Sequence, residues 1–192
     1  MKKLLITAFE PFGGESVNSA LLAVGLLPAA VGDWELVRLT LPVVYSRAAE
    51  TVIHAAKASG AEAILCIGQA AGHTSVTPET VAVNVRKNTV PDNCGSVYSG
   101  EAIDPGGADT YYSTLPAEKM TDAIHALGIP SEVSHSAGTF VCNDTLYLLL
   151  RRFHNTPVRV GFIHVPRSPA QGEPYMDTST AALAIAAAIG CL

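Results

Sequence analysis

The residue types best suited to chemistry in this 192-residue sequence are a cysteine and a histidine: Cys142 in the run HSAGTFVCND and His164 in GFIHVP. Upstream of Cys142, residues 129–134 read as a short strand. Downstream, Thr145, Leu146, Leu149, Leu150 and Phe153 recur with helical spacing, and Arg151 and Arg152 close the last turn. Cys142 is therefore expected at or near a helix amino terminus, where unpaired N–H groups and the positive end of the macrodipole favour a thiolate over a thiol. Gly138 allows a tight turn just before it. Cysteines beside apolar neighbours are mostly small hydrophobes, so a nucleophile at this position needs a base. His164 lies near the carboxyl end of an apolar run that Pro166 stops, and ligands of open α/β sheets gather at carboxyl ends of strands. His135, just before the cysteine run, is the competing base, and His73 is a further candidate for the site wall. Spacing alone does not choose between His164 and His135. His54, His125 and His154 fall within helices or at a helix end and read as structural.

These side chains need elements to hold them. Apolar runs predict strands over 3–7, 34–41, 63–68 and 159–163, and alternation predicts another over 77–85. Helices are expected over 19–26, from a Ser46 cap to residue 59 with Gly60 as the stop, from Pro116 to Gly128, and along the alanine-rich tail 178–189. Residues 90–109, rich in Gly, Pro, Asp and Asn, read as loop or hairpin. Strand and helix alternate with short connections, which predicts one domain, 1–192, built as a three-layer αβα sandwich around a mostly parallel sheet.

Composition narrows the function classes. Hydrophobic residues make up 48% of the chain and charged ones 15%, which excludes disorder and leaves room for a homo-oligomer, a dimer or a tetramer. A net charge of −5 without any basic cluster argues against nucleic acid or an anionic membrane as partner. The four cysteines show no CxxC pair, so neither a zinc site nor a disulfide framework is expected, and a reducing cytoplasm fits best. Cys66, inside a strand, reads as inert core. Glu10 and Pro11 cut the first apolar run short of a signal segment, and the apolar tail of about 12 residues falls short of the roughly 20 that span a bilayer. NDT at Asn143 is a chance match to a glycosylation acceptor. The loop FEPFGG lacks the glycine pattern and lysine of a phosphate cradle, and its two phenylalanines suit a flat, neutral, apolar ligand instead.

SAGTFVCN, GFIHVP, FEPFGG with Asn18, IGQA, and the stretch from PETVAVN to VPDN together resemble the pyrrolidone carboxyl peptidases, that is, the type I pyroglutamyl peptidases. The blocks occur in family order from residue 4 to about residue 169. The resemblance implies a mixed, twisted sheet with helices on both faces. It implies hydrolysis of the bond after an amino-terminal pyroglutamyl residue of small peptides through a thioester, without metal or cofactor. By the same resemblance Cys142 is the nucleophile, His164 the base and Glu79 the third member of a triad. Phe9, Phe12, Val90 and Val141 form the ring pocket, Asn18 belongs to the substrate site, and Gln69 marks backbone that meets the lactam. Two positions depart from the family: Thr80 and Thr89 stand where relatives usually carry Arg, with Arg86 nearby as a substitute for one of them. Arg167 stands where an apolar or aromatic residue is common, and the chain ends soon after its last helix. Two other readings stay open, a thiol amidase acting on another small acyl group and a catalytically weak binding protein of the same fold.

Overall fold

A computed structural model describes residues 1–192. In chain order the elements are β1 (Lys2–Phe9), α1 (Ser19–Gly25), β2 (Ala30–Val31), β3 (Trp34–Leu41), α2 (Arg47–Ser59), β4 (Ala63–Gln69), β5 (Thr77–Pro78) and β6 (Val81–Val83). They continue with β7 (Arg86–Lys87), β8 (Ser99–Glu101), β9 (Thr110–Tyr112), α3 (Ala117–His125), α4 (Val141–Phe153), β10 (Arg159–Val165) and α5 (Thr178–Ile189). The main sheet runs β2-β3-β1-β4-β10-β5. Its four long strands are parallel, while β2 and β5 add antiparallel edges, so the sheet is mixed. All seven residues of β4 are buried, as a central parallel strand covered on both faces requires.

Side-chain alternation divides the interior in two. Leu4, Ile6, Ala8, Leu65, Ile67, Ile163 and Val165 pack with α1, α3 and α5 on one face. Leu5, Phe9, Ile64, Cys66, Val160 and Phe162 pack with α2 and α4 on the other. The two cores hold 26 and 22 buried residues, so both faces are covered and the expected three-layer sandwich forms. The alternation also aims His164: between Ile163 and Val165, it projects from the opposite face, toward the layer that carries Cys142 on α4.

Three local expectations are corrected. Residues 77–85 are not one strand: Thr77 and Pro78 pair with β10, whereas Val81–Val83 pair with β9 in a separate ribbon, because Pro78 and Glu79 lie at the crossing between the two sheets. Residues 129–134 form no strand and meet the 76–79 segment only through single bridges, Val76 with Ser131 and Glu79 with Ser134. Ser46 does not cap α2 through its side chain; it sits at φ 61° and its hydroxyl accepts from Arg86 instead. Residues 90–109 fit the expected loop or hairpin: they contain the short strand β8, which returns antiparallel to β7. Gly60 does end α2 in the left-handed region, at φ 67°. No helix is long and apolar enough to cross a membrane.

Candidate active site

Cys142 is the second residue of α4. Gly138, at φ 75°, turns the chain into the helix, and Phe140 at the N-cap offers no side-chain acceptor. The Asp144 N–H is the one that reaches back to the Phe140 carbonyl, at 3.1 Å. The N–H groups of Val141, Cys142 and Asn143 therefore form the open first turn, a concentration of donors beside a half-buried thiol. Asn143 and Asp144 hold this turn from behind. The Asn143 amide accepts from the Val83 N–H at 2.9 Å and donates to the Val83 and Val85 carbonyls at 2.9 and 3.1 Å. Asp144 accepts from the Ser46 N–H at 2.7 Å and from Arg86 Nε at 2.6 Å. Asn143 is fully buried, so the NDT run is closed to glycosylation.

On the facing strand, His164 Nδ1 lies 2.7 Å from Glu79 Oε1, and both side chains are almost wholly buried. With Nδ1 engaged, Nε2 is the ring nitrogen left for the thiol. Burial acts to lower the His164 pKa, but the negative charge and hydrogen bonding of Cys142, then those of Glu79, outweigh it and push the ring up to about 10. Glu79 is fixed by its backbone: its N–H donates to the Phe162 carbonyl at 2.9 Å, and the next residue, Thr80, donates to the Ser134 carbonyl from both its N–H and its hydroxyl, at 2.9 and 2.8 Å. Gly68, the neighbour of His164 across the β4–β10 ladder, is needed for space. A Cβ there would come within 2.9 Å of the His164 ring and 2.7 Å of Phe162.

The competing histidine is separate from this arrangement. His135 is exposed and its Nδ1 pairs with the Thr80 hydroxyl at 2.8 Å. The thiols differ as sharply. Burial pushes Cys66 up to about 12 and raises Cys191, while Cys94 lies exposed in a loop without a histidine among its hydrogen-bond partners. Nowhere do three His, Cys, Asp or Glu side chains gather as a metal-binding group.

A small cavity beside the thiol is lined by Phe9, Phe12, Asn18, Val43, Gln69, Phe140, Val141 and Cys142. Asn18 serves it indirectly, since its side chain caps α1 by accepting from the Ala20 and Leu21 N–H groups and donates to the Glu10 carbonyl at 3.2 Å. The Gln69 side chain accepts from the Ser19 N–H at 2.8 Å and from Gln171 at 3.0 Å, tying α1 and the turn Pro169–Gln171 to the end of β4. Val90 lies outside, on a groove of about 410 Å³ that shares Phe12, Gln69 and Phe140 with the inner cavity. Sequence reasoning missed Phe140 and Val43. Phe140 stands two residues before Cys142 and its ring lies 5.9 Å from that of Phe12, so adjacency to the thiol was an available signal. Val43, just beyond β3, had none. Arg86 is bound to Asp144 and Ser46 and stacks over Tyr45 and Tyr98. The largest cavity, about 660 Å³, lies at the amino end of β10 and includes none of Cys142, His164 or Glu79.

A thiol on an open helix turn, a carboxylate-paired imidazole, and a mainly apolar cavity at the carboxyl end of a parallel sheet define an α/β cysteine hydrolase. Residues 2–192 match the family model described as pyroglutamyl peptidase. The pyrrolidone-carboxylate peptidase of Staphylococcus carnosus is 40% identical over 197 aligned positions, covering 99% of this chain and 92% of the relative. That of Aliivibrio fischeri is 42% identical, covering 97% and 92%. The crystal structure of Bacillus amyloliquefaciens pyroglutamyl peptidase I superposes with a TM-score of 0.95 at 36% identity, covering all of this chain and 96% of the other. Pyrrolidone carboxyl peptidase from Thermus thermophilus gives 0.93 at 32% identity, covering 98% and 100%. The chain belongs to the pyroglutamyl peptidase family.

Proposed function

We propose that this chain removes an amino-terminal pyroglutamyl residue from small peptides, with Cys142 as nucleophile, His164 as acid and base, and Glu79 as the group that orients His164. The observation that carries this reading is the pairing of a buried, carboxylate-held imidazole with an inner cavity whose wall holds no Asp, Glu, Lys or Arg. An ordinary amino terminus carries an ammonium whose burial without a partner is costly. A pyroglutamyl ring is neutral and flat, and packs on Phe9, Phe12 and Val141.

In the proposed reaction the thiolate attacks the acyl carbonyl, and the open N–H groups at the start of α4 stabilise the resulting oxyanion. His164 Nε2 gives its proton to the leaving amine as the C–N bond breaks, leaving a thioester on Cys142. The neutral imidazole then takes a proton from water, whose oxygen attacks the thioester. The C–S bond breaks, pyroglutamate leaves, and the thiolate and imidazolium are restored. Asn18 and Gln69 hold the cavity wall, and Val90 belongs to the outer groove where the leaving peptide passes.

The test is kcat/KM for the pyroglutamyl, prolyl, glutaminyl and glutamyl amides of one fluorophore. Turnover of the pyroglutamyl amide alone is expected. Comparable prolyl or glutaminyl turnover would point to a broader thiol amidase, and no turnover of any would leave a binding protein. We infer in addition a cytoplasmic setting, which suits four unpaired cysteines. A homo-oligomer, dimer or tetramer, would cover the exposed Leu22, Leu26, Leu127 and Leu183, all contributed by the α1, α3 and α5 layer; light scattering at several concentrations decides it.

A further inference from the structure

The outer groove differs from the inner cavity in its charge. Its wall holds Lys87, brought there by β7, and Arg167, two residues past the end of β10. The single carboxylate in the wall, Glu15, meets Arg167 at 3.4 Å, a long contact between side chains about one-third exposed. Lys87 is exposed and forms no ion pair. Arg167 Nε is buried without a hydrogen-bond acceptor. Two cations against one carboxylate leave the groove positive, in a chain whose net charge is −5.

The groove shares Phe12, Gln69 and Phe140 with the inner cavity, so it adjoins the space that the acyl group would fill. Resting on the function proposed above, we infer that Lys87 and Arg167 select peptides bearing a carboxylate on the leaving side of the scissile bond. That carboxylate comes either from an acidic side chain on the residue after pyroglutamate or from the free carboxyl terminus of a dipeptide. Glu15 works against it only in part, because Arg167 already engages that charge and Lys87 lies free. Partly solvated pairs of this kind are individually weak, so two acting together are expected to change kcat/KM by about five-fold.

The experiment compares four peptides with the intact protein at low and high salt: pyroglutamyl-alanine amide, pyroglutamyl-alanine with a free carboxylate, pyroglutamyl-glutamate amide and pyroglutamyl-lysine amide. One or both carboxylate-bearing peptides should exceed the neutral amide, the lysine peptide should fall below it, and added salt should compress the spread. Which of the two carboxylate peptides gains identifies the source of the charge. Lys87→Gln and Arg167→Gln should each narrow the ratio of carboxylate to neutral peptide, a readout that a general loss of activity would not move. Equal kcat/KM across the four, or a ratio insensitive to salt and to both variants, overturns the inference while leaving the peptidase reading intact. Absence of turnover for every peptide overturns that reading and the inference with it.

Discussion

The layer formed by α1, α3 and α5 buries mainly alanine, isoleucine and methionine, with only the hydroxyls of Ser19 and Thr121 among its buried helical side chains. The layer formed by α2 and α4 buries Asn143, Asp144 and Thr145 completely, and faces His164 and Phe162 on the sheet. The difference shows what a fold must do to keep chemistry in its interior. Burying an amide or a charge is unfavourable unless each polar atom finds a partner. In this layer the partners come from loops that the other layer does not use: Val83 and Val85 for Asn143, Ser46 and Arg86 for Asp144, the 79–80 segment for His164. One layer supplies stability by area. The other converts some of that stability into a fixed geometry around one thiol.

The comparison can be broken most strongly at the histidine. His164→Ala removes the proposed acid and base and should lower kcat/KM by about 10² to 10⁴. His135→Ala removes an exposed partner of Thr80 and should cost far less. Equal losses, with circular dichroism unchanged in both, would show that the polar layer works through a different residue.

Next comes the support behind α4. Arg86→Met leaves the Asp144 carboxylate buried beside the Ser46 N–H alone and should destabilise the fold by about 3–5 kcal/mol, seen as a lowered urea midpoint. Burial already holds the Asp144 carboxyl above its ordinary value of 3.8, even with the Ser46 N–H and Arg86 acting to lower it. Removing Arg86 raises it further. A carboxyl raised in the folded state contributes stability that is full below its unfolded value and lost as pH rises through the folded one. The deficit of Arg86→Met should therefore be smaller near pH 5 than near pH 8, and a deficit that shrinks with rising pH would contradict the assignment.

Glu79→Gln sharpens the comparison electrostatically with little change of shape. The His164 ring keeps its proton below about 10 and loses it above, so the alkaline limb of kcat/KM should lie near there. Glu79 is one of the groups that raises the ring, and glutamine keeps an acceptor without the charge. The limb should move to lower pH in the variant. A limb that stays in place would mean that Cys142 alone sets the ring's proton affinity.

Much of this layout is legible in the sequence, and the failures share one physical cause. Strands β1, β3, β4 and β10 announce themselves as apolar runs, and Cys142 at a helix start follows from the spacing of Leu146, Leu149 and Leu150. The ribbons β6 to β9 are two or three residues long, too short for a period to register. The misread segments, 77–85 and 129–134, are defined by pairings between distant positions, such as Glu79 with Ser134 and Val81 with Tyr112. Ser46 reads as a cap because local chemistry favours it, and tertiary demand from Arg86 and Asp144 overrules that preference. No local pattern pairs Arg86 with Asp144, 58 positions apart. Glu79 follows only from the family resemblance, since an isolated carboxylate beside an alternating run ordinarily marks a solvated face.

The smallest effect belongs to the plain layer. Ile185, on α5, is fully buried within the core shared with α1 and α3, and no side-chain hydrogen bond passes through it. Ile185→Val removes one methylene from a packed interior, which should cost about 0.5–1.5 kcal/mol in urea unfolding. Because that core lies across the sheet from Cys142 and from the His164 ring, kcat/KM for a pyroglutamyl amide should stay at the parent value. The two readouts together decide the matter. A stability loss without a rate change is what a layer that acts only through buried area must give. A rate loss of similar proportion would mean that packing strain crosses the sheet to the thiol, and that the two layers are not separable in function.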